Sequence, residues 1–119
     1  LGDVYKRQHN RAQGKAFEEQ EFPKFDNKTV NAQEQITIKT SDGTKIRVDA
    51  IGEDPVTGNV VINEFKSSQT APLTSNQKIG FPELEIGGGT VVGKGKGTFT
   101  GGYDIPAGTK VEIVRPPLE

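Results

Sequence analysis

Hydrophobic and polar residues alternate along three stretches in the middle of the chain, and this period of two predicts three strands. Isoleucine and valine alternate with polar residues over 35–40 and 45–51, and three β-branched apolar residues open the stretch 59–66. Such an apolar run is typical of a central strand. Between the first two stretches, Asp42 and Gly43 favour a hairpin with a two-residue turn. The pattern therefore predicts an antiparallel sheet of three consecutive strands.

A helical period precedes these strands. Asn10 is a suitable N-cap, good helix formers follow over 11–22, and Pro23 predicts the end of the helix. Gly14 lies in the middle of this helix, where glycine costs about 1 kcal/mol relative to alanine. That cost predicts close packing of the helix against another backbone at Gly14. The polar residues over 25–33 predict a loop.

A second helix follows the strands. Thr74 or Ser75 caps it, it begins near Asn76, and the glycines at 87–89 end it. Short apolar stretches beyond it predict one or two further strands, of which 110–114 is the clearest. The predicted fold class is α/β, with the order helix, three antiparallel strands, helix, and one or two strands packed against the sheet.

Charged residues stand at the ends of the second and third predicted strands. Alternation places Glu64 and Lys66 on one face, and pairing of the strands brings Asp49 beside them. Two carboxylates and an ammonium at one sheet edge are costly to bury without a purpose. A hard divalent cation supplies a purpose, because carboxylate oxygens are its preferred ligands. The alternative is a cross-strand salt bridge of these acids with Arg47 or Lys66.

Three short motifs in this order resemble the active site of the PD-(D/E)XK nuclease superfamily, which has the restriction-endonuclease-like fold. They are G-K-A-F-E at 14–18, V-D-A at 48–50 and E-F-K at 64–66. The resemblance is to the C-terminal nuclease toxin domains of bacterial polymorphic toxins in particular. One departure is Val48, which stands where the family name has proline.

The resemblance implies a magnesium-dependent endonuclease that hydrolyses phosphodiester bonds, with Mn²⁺ able to substitute for Mg²⁺. Glu18, Asp49 and Glu64 would ligate the metal, and Lys66 would complete the catalytic set. The expected substrate is nucleic acid, DNA before RNA. The residues expected to contact it are Ser67, Ser68, Gln77, Lys94 and Lys96. Each of these also has a plainer interpretation as part of a polar linker, a helix surface or a solvated loop.

Length and composition set the outer bounds of this interpretation. The chain has 119 residues, a formal net charge of −1 and no cysteine, which fits one domain without disulfides or thiolate metal sites. A nucleic-acid-binding protein usually carries a basic excess, so the nuclease interpretation requires a local basic patch. The rival interpretation is a small β-rich binding module without catalysis. No apolar run reaches membrane-spanning length, so no membrane partner is expected.

The first eight residues, Leu1–Gln8, do not read as the start of a natural domain. We expect a non-native or disordered leader there and a single nuclease domain over 9–119. The chain would then be the C-terminal part of a longer protein, secreted or delivered from a bacterium and acting in the target-cell cytoplasm. A toxin of this type implies a cognate immunity protein as partner.

Overall fold

The computed structural model describes residues 2–118. Two helices and eight strands follow one another along the chain: α1 (Gly2–Lys28), β1 (Val30–Thr40), β2 (Lys45–Glu53), β3 (Val60–Phe65), α2 (Ser75–Gly87), β4 (Gly89–Val91), β5 (Gly95–Lys96), β6 (Phe99–Thr100), β7 (Asp104–Ile105) and β8 (Val111–Val114). The mixed α/β class and the order of the first five elements are confirmed. The prediction of one or two strands after α2 is wrong, because five follow. Strands of two or three residues are too short to produce a readable alternation.

Six of the strands form one sheet in the order β7-β4-β1-β2-β3-β8, and β5 pairs with β6 in a separate hairpin. Strand β8 runs parallel to β3, and the other pairs are antiparallel. The β1–β2 hairpin is confirmed, but its predicted two-residue turn is wrong. The Thr40 N–H donates to the Thr44 carbonyl at 2.8 Å, and within the turn only Gly43 has a positive φ, 97°. A three-residue loop with glycine in the left-handed position fits these features.

Both faces of the sheet are buried. The larger core lies under α2 and includes Ile36, Ile38, Val48, Ile62, Phe81 and Leu84. The smaller core lies under α1 and consists of Phe25, Ala50 and Phe65, with Phe17, Phe22 and Val114 packed against them. Neighbouring residues of β2, such as Val48 on one face and Asp49 on the other, therefore meet different surroundings.

Helix α1 continues through Pro23 to Lys28, so the predicted stop at Pro23 and the predicted loop over 25–33 are both wrong. A proline in a helix interior costs about 3 kcal/mol. Phe25 follows within one turn and is 5% exposed in the smaller core. Burying such a side chain contributes roughly 1.5–3 kcal/mol, which offsets most of the proline cost. The Thr29 hydroxyl then donates to the Phe25 carbonyl at 2.9 Å near the helix end.

The predicted leader divides into two parts. Leu1 lies outside the described residues, whereas 2–8 form the first turns of α1 and are exposed along their whole length. The described part of the leader is therefore helical, and the interpretation of these residues as a non-native or disordered leader stays a prediction.

Close packing of the helices against the sheet occurs at Gly52 and Gly80, and not at Gly14 as predicted. A Cβ at Gly14 would have nothing within 4 Å, so the predicted close approach there is wrong. Helix α1 instead nears the sheet at Gly52, where a Cβ would lie 2.9 Å from Thr29 Oγ1. Helix α2 nears it at Gly80, where a Cβ would overlap the Cγ2 methyl of Ile46.

Replacing Gly14 and Gly80 by alanine should change the free energy of unfolding in opposite directions. Gly14→Ala should raise the free energy of unfolding by about 1 kcal/mol, because the site is open and alanine favours the helix. Gly80→Ala should lower it, since overpacking against Ile46 costs roughly 1–3 kcal/mol and outweighs the gain in propensity. Urea unfolding of both variants measures this, and a shift of the same sign in both would contradict the packing described here.

Candidate functional site

The ladder between β2 and β3 ends at the Ala50–Asn63 pair, and side chains take over beyond it. The Phe65 N–H donates to Asp49 Oδ2 at 2.8 Å, and the Asp49 N–H donates to Glu64 Oε1 at 3.3 Å. The two strands are thus joined through carboxylates at this point. Asp49 is 9% exposed and Glu64 4% exposed. The prediction that strand pairing brings Asp49 beside the E-F-K motif is confirmed.

Gln77 links Glu64 to Lys66. Its Nε2 donates to Glu64 Oε2 at 2.7 Å, and its Oε1 accepts from Lys66 Nζ at 3.1 Å. The Lys66 ammonium also lies 3.5 Å from Glu64 Oε2. A reciprocal capping box with Thr74 at the start of α2 fixes the Gln77 side chain.

The amide of Gln77 is therefore engaged with its neighbours in the site. The predicted contact of Gln77 with nucleic acid stays a prediction. The T-x-x-Q capping signal over 74–77 was readable in the sequence and accounts for the placement of Gln77 at the start of α2.

Helix α1 contributes Glu18, and β1 contributes a residue that the sequence analysis missed. The Gln35 Nε2 donates to Asp49 Oδ1 at 3.1 Å and to Glu18 Oε2 at 3.3 Å. Gln35 lies between the Glu34–Ala50 and Ile36–Val48 partners, so it stands across from Asp49 in the β1–β2 pair. Only knowledge of this register would have identified it. Glu19 is exposed, so Glu18 alone of the two neighbouring acids reaches the site.

The three carboxylates face one concavity of about 620 Å³, which we call the acidic pocket. Its lining includes the acids Glu18, Asp49 and Glu64, the amides Gln35 and Gln77, and the cations Lys15, Lys45 and Arg47. The sequence analysis missed these cations as site residues. Two of them were within its reach, because Lys45 and Arg47 precede Asp49 on β2 at spacings of two and share its face.

Burial and mutual repulsion hold protons on two of the acids. Burial, followed by the charge of Asp49, raises the pKa of Glu64 to about 7, although Lys66 and Gln77 act in the opposite direction. Partial burial, again followed by the charge of Asp49, raises the pKa of Glu18 to about 7. Arg47 opposes this second shift. Burial of the two glutamates and their closeness to Asp49 thus disfavour the charged forms of both.

The remaining predicted contacts lie away from the acidic pocket. Ser67 and Ser68 follow β3, and the Ser68 hydroxyl accepts from the Ala71 N–H at 2.9 Å within a local turn. Lys94 precedes β5, and Lys96 Nζ donates to the Glu34 carbonyl at 2.8 Å. None of these four predicted residues lines the pocket. Their contact with nucleic acid stays a prediction.

The carboxylates of the acidic pocket are the groups that could ligate a divalent cation. Within residues 2–118, no three acidic or histidine side chains already surround a point that could hold a metal ion. Hydrogen-bond donors, chiefly the two amides, occupy the carboxylate oxygens instead. The chemistry of the set nevertheless suits a hard cation, since three carboxylates offer it oxygen ligands. The residues present fit Mg²⁺ by ligand type.

No protein-family model, no curated protein and no solved structure matches this chain. In the described part of the chain, neither helix has the length and apolar character needed to cross a bilayer. Any functional assignment therefore rests on the geometry and chemistry of the site.

The raised pKa values predict a loss of stability with rising pH in the metal-free protein. Glu18 and Glu64 keep protons up to about pH 7 when folded, whereas their ordinary pKa is 4.5. Their stabilising contribution is complete below about 4.5 and is lost as the pH rises through about 7. Glu18→Gln should flatten this decline, measured as melting temperature across the window in the presence of a chelator.

Glu19→Gln is the matched control and should keep the wild-type pH profile, because Glu19 is exposed on the same helix. Hydrogen bonds lower the pKa of Asp54 and of Glu83. These two acids therefore titrate below the pH range in which the variants are compared, and they do not affect the comparison. A wild-type melting temperature that rises across the window would contradict the prediction.

Proposed function

We propose that this chain is a metal-dependent phosphodiesterase, a nuclease with DNA as its preferred substrate. One observation carries the proposal: α1, β2 and β3 each deliver a carboxylate to one pocket, and Lys66, which is not part of the pocket lining, lies 3.5 Å from Glu64 Oε2. The residues concerned are those of the three motifs that resemble the PD-(D/E)XK superfamily. We further propose a restriction-endonuclease-like core for the fold, supported by the order of one helix, three antiparallel strands and a second helix.

Asp49, Glu64 and Glu18 would hold Mg²⁺, and Mn²⁺ would substitute for it. When bound, such a cation polarises a phosphoryl oxygen and lowers the pKa of a water molecule. The protein would fix two of its ligands firmly, because the Phe65 N–H binds Asp49 and Gln77 binds Glu64. Glu18 comes from a different layer and would complete the set from the side of α1.

Lys66 would stabilise negative charge that develops on the phosphate. Its ammonium is held between Glu64 Oε2 and Gln77 Oε1, so its position is fixed before substrate arrives. A preorganised charge of this kind acts most strongly in the transition state. The Lys66 side chain belongs to neither of the two apolar cores, and its polar contacts are those with Glu64 and Gln77.

A polyanionic substrate is supported by the cations of the pocket. Lys15, Lys45 and Arg47 line it although the chain as a whole carries a net charge of −1. Phosphate groups favour lysine and arginine side chains that lie close together, whatever the total charge. The basic patch that the nuclease interpretation required therefore has three candidates.

A non-catalytic binding module is the second candidate function, favoured by the contact between Lys66 and Glu64 at 3.5 Å. In that case the charges would only stabilise the sheet edge. The further parts of the proposal, a toxin module of a bacterial effector acting in a target cell and neutralised by an immunity protein, rest on the resemblance alone.

Cleavage of supercoiled plasmid under Mg²⁺ titration separates the two candidates. Lys66→Ala should reduce the nicking rate by at least 100-fold, a loss on the scale of removing one transition-state donor, while the melting temperature stays close to wild type. Asp49→Asn should be equally inactive, and Mg²⁺ should raise the melting temperature of the wild type but not of this variant. A Lys66→Ala protein that nicks at the wild-type rate would favour the binding module.

Salt dependence tests the basic lining of the pocket. In the Lys66→Ala background, Lys15→Gln should lower the slope of log affinity for duplex DNA against log salt concentration by about 1, because one phosphate contact is lost. Lys28→Gln is the matched control on the same helix and outside the pocket, and it should leave the slope unchanged. Equal slopes in all three proteins would show that Lys15 does not contact the backbone of DNA.

A further inference from the structure

Gln35 combines an unusual backbone with an unusual side-chain environment. Its φ of 55° is left-handed, although it lies inside β1 with regular partners on both sides. For a residue other than glycine, such a conformation is strained and persists only when its surroundings impose it. In the described chain, Asn31 is the one other non-glycine residue with a positive φ, and it lies where the β1–β2 register shifts.

The side chain of Gln35 joins two layers of the protein. Its Nε2 donates one hydrogen bond to Glu18 of α1 and one to Asp49 of β2. Within residues 2–118, no other side chain of the main sheet donates to α1. An amide nitrogen carries two hydrogens, so both bonds can form at once.

The neighbouring hairpin supports this part of β1 from outside. The Lys96 ammonium donates to the Glu34 carbonyl at 2.8 Å, and a Cβ at Gly97 would lie 2.5 Å from Gln33 Nε2. Gln33 and Glu34, which precede the left-handed position, therefore contact β5 and the turn that follows it. Lys96 and Gly97 gain a structural role in this way.

We propose that Gln35 is a positioning residue that sets the distance between Glu18 and Asp49 for a divalent cation. The proposal rests on the metal-dependent function proposed above. A neutral amide suits the task because it orients both carboxylates without neutralising them, whereas a lysine would compete with the cation. Partners that orient metal ligands typically change metal affinity or activity 10–100-fold when removed.

The test compares glycine at the two left-handed positions of β1. Gln35→Gly and Asn31→Gly both replace a non-glycine residue at positive φ, where glycine carries no steric cost. Asn31 binds Glu53, which lies outside the acidic pocket, so it controls for the backbone alone. We expect the dissociation constant for Mn²⁺, from calorimetry, to rise about tenfold in Gln35→Gly and to stay at the wild-type value in Asn31→Gly.

Cleavage supplies the second readout. Raising the Mn²⁺ concentration should restore much of the nicking rate of Gln35→Gly, since the missing amide acts through metal binding. KM for DNA should stay unchanged, because the basic lining of the pocket is intact. Wild-type Mn²⁺ affinity in Gln35→Gly would overturn the proposal.

Two further outcomes are decisive. If Gln35→Gly fails to fold, Gln35→Asn replaces it, because asparagine tolerates the left-handed region but is too short to span both carboxylates. Weakened Mn²⁺ binding in that variant supports the proposal, and wild-type binding overturns it. Absence of Mn²⁺ binding by the wild-type chain would overturn the proposed function as well, and this failure is distinguishable because it appears without any substitution.

Discussion

Two carboxylates stand where backbone groups would otherwise continue the ladder between β2 and β3. Because buried N–H groups require acceptors, the N–H groups of Phe65 and Asp49 hold the side chains of Asp49 and Glu64 in fixed positions. The same hydrogen bonds open the sheet and create the acidic pocket. A structural role and a proposed chemical role therefore coincide at Asp49, and alanine there would remove a proposed metal ligand and leave the Phe65 N–H without its acceptor.

The site orients its acids with neutral groups. Gln35 binds Asp49 and Glu18, and Gln77 binds Glu64, whereas only Lys66 among the described cations lies within 4.0 Å of a carboxylate of the pocket. Amides fix geometry and leave the negative charge in place. Burial and the nearby charge of Asp49 raise the pKa of the two glutamates, and a bound divalent cation would favour their charged forms.

Charged side chains of both signs cluster in this protein, and the net charge of the chain does not show this clustering. A net charge of −1 argues against a polyanionic partner only if the charges are mixed evenly. Here Lys15, Lys45 and Arg47 share one concavity with the acids, so side chains of both signs line it. Such a lining suits the two proposed ligands, a phosphate group and a divalent cation.

Local periodicity determined the position of Asp49 beside Glu64 and Lys66, because alternation along a strand does not depend on the rest of the fold. It also determined the start of α2, where the cap of Thr74 is a short-range feature. The continuation of α1 through Pro23 could not be predicted, since it depends on burial of Phe25 against a distant strand. The role of Gln35 could likewise not be predicted. Its left-handed backbone and its hydrogen bond to Glu18 arise only when β1, β2 and α1 are packed together.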